Sequence, residues 1–113
     1  MTQQQQHLYE GMYIVNAALN DEGRQKAFEK IKTGITSRGG EVRKIFEQGR
    51  RRLAYEIQGR REGYYYLLYF SLPTSEVAPM WRDCRLHDQL LRFTTLRVDV
   101  VPEKIEFKPI VQQ

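Results

Sequence analysis

The order in which hydrophobic periodicities alternate constrains this chain more than any other feature. A two-residue period gives way to a helical one, two further two-residue segments follow, then a second helical one and a last two-residue run. Residues 8–15 are rich in β-formers, with Tyr9, Gly11, Tyr13 and Val15 on one side and Glu10, Met12 and Ile14 on the other, which predicts a first strand. Asn20 is placed to cap a helix, with Asp21 and Glu22 in its first turn and Ala27, Phe28, Ile31 and Ile35 at helical spacing up to Gly39-Gly40; carboxylates there favour the dipole and the glycines stop the helix. Residues 42–46 and then Leu53, Tyr55 and Ile57 read as one long strand interrupted at Gly49, where an isolated glycine predicts a bulge. Residues 58–63 make a turn, and residues 64–72 form the most β-prone run, ended by Pro73.

Ser75 is the expected cap of a second helix in which Val77, Met80, Trp81 and Cys84 line one face, ending near His87, and residues 90–100 return to β. The order is therefore βαββαβ. Right-handed crossovers put both helices on one side of a four-stranded antiparallel sheet, the ferredoxin-like split βαβ layout of the α+β class. Each helix has a single apolar stripe, so together they cover one sheet face and leave the other to water or a partner.

With 113 residues the chain has room for one domain. The expected organisation is a flexible, Gln-rich N-terminal tail over residues 1–7, a folded domain over 8–100 and a C-terminal tail over 101–113. The opening residues lack the cationic segment and apolar run of a secretory signal, and no apolar stretch approaches the roughly 20 residues of a bilayer span. A single cysteine, Cys84, excludes an intramolecular disulfide and fits a reducing compartment.

Charge is concentrated rather than general. The chain carries a net +4, yet residues 38–61 alone hold eight cations, seven of them arginine, against three carboxylates. All of the excess basicity thus lies on the central hairpin, in the residue type whose planar fork grips phosphate bidentately. If Leu53, Tyr55 and Ile57 face the core, alternation sends Arg50 and Arg52 to the other side, with Arg60 and Arg61 at the hairpin tip. Charge alone suits equally a solvated hairpin whose cations discourage edge-to-edge association.

The words that break this tie are Tyr9-Glu10, Gly39-Gly40-Glu41-Val42, Gly49-Arg50-Arg51-Arg52-Leu53-Ala54-Tyr55, Glu62-Gly63-Tyr64-Tyr65 and Leu90-Leu91-Arg92-Phe93. In this order and spacing they resemble the bacterial small-subunit ribosomal protein six family over residues 8–99. The resemblance implies a structural, non-enzymatic and cofactor-free protein, cytoplasmic and ribosome-associated. It further implies pairing with ribosomal protein eighteen and binding to the central domain of the small-subunit ribosomal RNA as that heterodimer. Glu56 and Asn16-Ala17 stand where the family commonly has proline, and His7 and Leu8 where it often has basic residues. Arg92 matches a basic family position at the start of the last strand, so the candidate RNA-binding residues are Arg50, Arg52, Arg61 and Arg92.

Other readings of the same residues are weaker. The Tyr-rich run invites comparison with an RNA-recognition-motif-like binder of single-stranded RNA, but Glu62 and Tyr65 stand where that pattern wants a cation and a small residue. Only one side of that run can enter the helix-covered core, so Tyr65, Leu67 and Tyr69 are expected on the open face as a partner-protein interface. Cys84, His87 and Asp88 lie within helical reach of one another, the only foothold for nucleophilic catalysis. Cys84 falls on the apolar stripe and His87 and Asp88 at a helix end, where solvation is usual, so neither an active site nor a metal site is expected.

Overall fold

A computed structural model describes residues 5–103. It contains strand β1 (Gln6–Asn16), helix α1 (Asp21–Thr36), strands β2 (Glu41–Ile57) and β3 (Arg60–Pro73), a 3-10 turn (Thr74–Glu76), helix α2 (Val77–Arg85) and strand β4 (Leu90–Val98). The four strands form one sheet in the order β2-β3-β1-β4, every neighbouring pair antiparallel. This is the expected βαββαβ ferredoxin-like arrangement. Among the described residues no helix is long and apolar enough to cross a membrane. Most of the tails expected at the chain ends lies outside the described residues.

The helix-side core follows directly from the alternation in β1 and β3. Tyr9, Tyr13 and Val15 of β1 and Tyr66, Leu68, Phe70 and Leu72 of β3 are buried with Ala27, Ile31 and Ile35 of α1 and Met80 of α2. Gly11 is required within this layer, because a Cβ there would stand 2.8 Å from the Tyr13 ring that lies over it. At the start of α1 the Asn20 side chain accepts a hydrogen bond from the Gly23 amide at 2.8 Å, satisfying one of the orphan donors of the first turn.

The boundaries move where tertiary pairing overrides local propensity. β1 begins at Gln6 rather than at residue 8, because Gln6 pairs with Pro73 and the Gln6 side-chain amide donates to the Gly39 carbonyl. The six-residue turn expected over residues 58–63 contracts to Gln58-Gly59. Both residues have positive φ, 51° and 78°, the two-residue turn whose twist matches a hairpin. Ser75 does not cap α2; it sits in the 3-10 turn, and no side chain caps the helix. β4 ends at Val98, two residues early.

The largest departure is in the second half of β2. Gly49 lies at a register shift, as expected, but a second irregularity separates the pairs Arg52↔Glu62 and Ile57↔Arg60. Residues 53–56 are therefore a hump, and Leu53, Tyr55 and Ile57 do not face the helix-side core. Leu53 is buried on the reverse face with Ile14, Tyr65 and Leu91, Ile57 packs beside this cluster, and Tyr55 is 57% exposed.

Candidate nucleic-acid interface

The hairpin places its cations according to strand parity. Arg50 pairs with Tyr64 and Arg52 with Glu62, so both leave the strand on the side opposite Leu53. Together with Arg60, Arg61 and Glu62 they line a cavity of about 390 Å³, closed on its other wall by Asn16, Ala17 and Ala18 of the β1–α1 loop. That loop is held by Asn16, whose side-chain oxygen accepts from the Ala18 amide at 3.0 Å and whose amide donates to Gln89 at 3.1 Å. Four arginine residues thus line one concavity beside a braced loop, although Arg61 has the opposite strand parity to Arg60 and Glu62.

They are not equivalent. The Arg50 Nε donates to Glu62 at 2.6 Å and the Arg61 Nε to Glu56 at 3.1 Å. Arg52 and Arg60 have no carboxylate partner among the described residues. Elsewhere in the basic segment, Arg38 is consumed by Glu76 and Asp83, tying the end of α1 to α2, and Arg43 faces Glu41. Most of the charge excess seen in the sequence is therefore answered locally, and Arg60, absent from the sequence-derived set, is one of the two cavity cations left unanswered. The signal for it was the Gln58-Gly59 pair, which makes a turn tight enough to bring Arg60 to the same cavity as Arg52.

Arg92 does not join this group. It lies on the reverse face, with its guanidinium 5.9 Å from the centre of the Tyr55 ring and hydrogen-bonded to the Tyr55 hydroxyl. Because β2 and β4 are the two outer strands, this contact spans the sheet and clips the hump onto β4.

The reverse face is consequently less open than its sequence suggests. Tyr65 and Tyr69 do lie there, but they are only 2% and 4% exposed; Leu67 between them is half-buried. Tyr65 is covered by Leu53 and its cluster, and burial pushes its phenol pKa up, with Arg92 and Arg51 pulling the other way. Tyr69 meets the Phe46 ring edge-on at 6.0 Å and donates its hydroxyl to Glu10; burial and then this carboxylate raise its pKa. At the far end, residues 99–103 return toward β2, where the Lys44 ammonium donates to the Glu103 carbonyl at 2.6 Å. What remains is a window between hump and return segment, floored by the buried tyrosines and presenting Met12, Glu10, Leu67, Phe46 and Leu96. With Tyr65 and Tyr69 covered, the rings on which a single-stranded RNA binder would stack bases are not available.

The Cys84, His87 and Asp88 trio holds no catalytic geometry. His87 is 8% exposed rather than solvated, its ring against the Ala27 carbonyl at 3.4 Å, and burial lowers its pKa. Burial likewise pushes the Cys84 thiol up to about 11, the reverse of an activated nucleophile. No group of metal-ligating side chains occurs among the described residues.

Comparison with known proteins identifies the family of this fold. The family model of ribosomal protein S6 matches residues 8–97. The chain belongs to the ribosomal protein S6 family. It is 57% identical over 113 residues to small ribosomal subunit protein bS6 of Protochlamydia amoebophila, covering all of this chain and 99% of that one. It is 49% identical over 107 residues to its counterpart in Chlamydia caviae, covering 95% and 96%. The fold superposes on the crystal structure of 30S ribosomal protein S6 from Thermotoga maritima with a TM-score of 0.78 at 28% identity, over 83% of this chain and 89% of that one. The S6 family is structural and non-enzymatic, and it places the chain at the ribosome, in the cytoplasm.

Proposed function

We propose that this S6-family chain binds the central domain of the small-subunit ribosomal RNA as a heterodimer with ribosomal protein eighteen. The observation that carries the RNA part is the convergence of Arg50, Arg52, Arg60 and Arg61 on one cavity at the hairpin tip. Guanidinium groups fixed on a two-stranded ribbon neutralise backbone phosphates without reading sequence. Arg92 adds a cation at the border of the sheet window. The protein partner docks on that window: Leu67 and Leu96 are its contact surface, and Tyr65 and Tyr69 act from beneath as a rigid floor. The partner then supplies the sequence discrimination that phosphate contacts lack.

A net charge of only +4 gives modest attraction, so the isolated chain binds RNA weakly. Titrating a central-domain RNA fragment with the chain alone and with ribosomal protein eighteen present is the test. The partner is expected to raise RNA affinity by more than tenfold, about 1.4 kcal/mol of coupling. Equal affinity in both titrations would refute the cooperative reading.

A further inference from the structure

Glu10 occupies an unusual position for a carboxylate. It lies at the centre of the sheet window, with Leu8 and Met12 two residues away along β1, Tyr69 opposite it on β3 and Leu96 opposite it on β4. One oxygen accepts the Tyr69 hydroxyl. No Lys, Arg or His among the described residues lies within ion-pair distance of it; Lys44, on the far side of Tyr69, is taken up by the Glu103 carbonyl and the Phe46 ring, and Arg92 by Tyr55. Glu10 is half-buried, so in the free protein it is still within reach of water.

Docking an apolar protein surface over Leu67 and Leu96 removes that water. An ionised carboxylate offers about four acceptor positions, of which Tyr69 fills one. Leaving the charge buried and unpaired costs far more than the surrounding apolar contacts return. A partner that is apolar throughout is therefore rejected, and one carrying a cation opposite Glu10 is selected. We propose that Glu10, oriented by Tyr69, is the receiving carboxylate for a single arginine or lysine at the centre of the partner's docking surface. This rests on the reading that a protein covers the window, and it deepens that reading by fixing the partner's chemistry: an apolar patch with one cation in its middle.

The two levels separate in one set of calorimetric titrations of the full chain with ribosomal protein eighteen. Glu10→Gln keeps the shape and can still accept from Tyr69, and it is expected to weaken binding by about 30-fold or more, as removal of one member of a buried charge pair does. Tyr69→Phe frees the carboxylate to rotate and gives a smaller loss. If Glu10→Gln binds equally well or more tightly, no cation faces it and the inference falls, because a neutral amide is cheaper to bury. Leu67→Asp tests the docking reading itself: wild-type affinity in that variant, or no binding by the wild type, removes the reading and the inference with it. The chain's own Lys104 and Lys108 are the competing source of a cation. A Glu10→Gln loss that vanishes in a Lys104→Gln, Lys108→Gln background overturns the assignment to the partner. Unchanged unfolding midpoints of the variants confirm that the sheet is intact.

Discussion

Replacing Arg52 and Arg60 together with alanine is expected to halve the salt dependence of RNA binding. Four arginine residues line the hairpin cavity, but Glu62 already answers Arg50 and Glu56 answers Arg61. Exposed pairs of this kind are worth about 0–1 kcal/mol each, so a phosphate competing for Arg50 or Arg61 forfeits up to that amount. Arg52 and Arg60 have no carboxylate to release among the described residues. If all four contact duplex phosphates, the logarithm of affinity falls with the logarithm of salt at a slope of about −3 to −4, and removing two contacts leaves about −2. Between about 50 and 200 mM salt the wild type then loses roughly 150-fold in affinity and the double variant only roughly 12-fold. Fluorescence anisotropy of a labelled central-domain fragment over a salt series, with ribosomal protein eighteen at saturation, reads both numbers. As a counterpart, Glu56→Gln and Glu62→Gln release Arg61 and Arg50 and should each strengthen binding by up to about fivefold with little change in slope. A slope left at its wild-type value by Arg52→Ala, Arg60→Ala but lowered by Arg50→Ala, Arg61→Ala would show that local pairing does not rank these arginines.

Three further outcomes follow from packing and titration. Leu53→Ala should lower unfolding stability in urea by about 2 kcal/mol, since Leu53 closes the cluster over Tyr65; a loss within about 0.5 kcal/mol, the scale of a surface change, would mean that the hump does not pack there. His87 is held neutral by burial, its pKa below the ordinary value near 6.5. The unfolded chain therefore binds the extra proton first, so this contribution to stability is complete above about pH 6.5 and declines as pH falls below it. His87→Gln should flatten the unfolding-midpoint profile between about pH 7 and 5.5, and an unchanged slope would clear this residue. Cys84, with its thiol pushed up to about 11, should react only slowly with a disulfide-exchange reagent at pH 8 until denaturant is added; rapid labelling of the folded chain would contradict the packing of this half-buried residue of α2 against the core.

The fold was legible because each segment's apolar period agrees with its place. Tyr9, Tyr13 and Val15 in β1, the Ala27, Ile31 and Ile35 stripe of α1 and the Asn20 cap all do in the structure what their spacing implies. Part of the candidate site's layout was legible too, since Arg50, Arg52 and Arg61 are lining residues of one cavity. Alternation failed at residues 53–57. It counts positions and cannot register the extra residues of a hump, which turn Leu53 to the reverse face and carry Tyr55 across to Arg92. It failed again at His87, because a helix end is solvated only when nothing packs on it, and here the Ala27 turn of α1 does.

What the sequence determined by itself is the set of elements, their order and the crowding of arginines on the central hairpin, for these depend on neighbours within a few residues. Which arginines remain available, and how much of the second sheet face is left uncovered, were decided only by the tertiary structure. Glu62 reaches Arg50 across the hairpin, Arg92 and Tyr55 meet across all four strands, and Glu10 comes to lie beside Tyr69, Leu96 and Met12 with no ion-pair partner among the described residues. Such contacts join residues far apart in the chain, and neither propensity nor period carries information about partners that folding alone brings together.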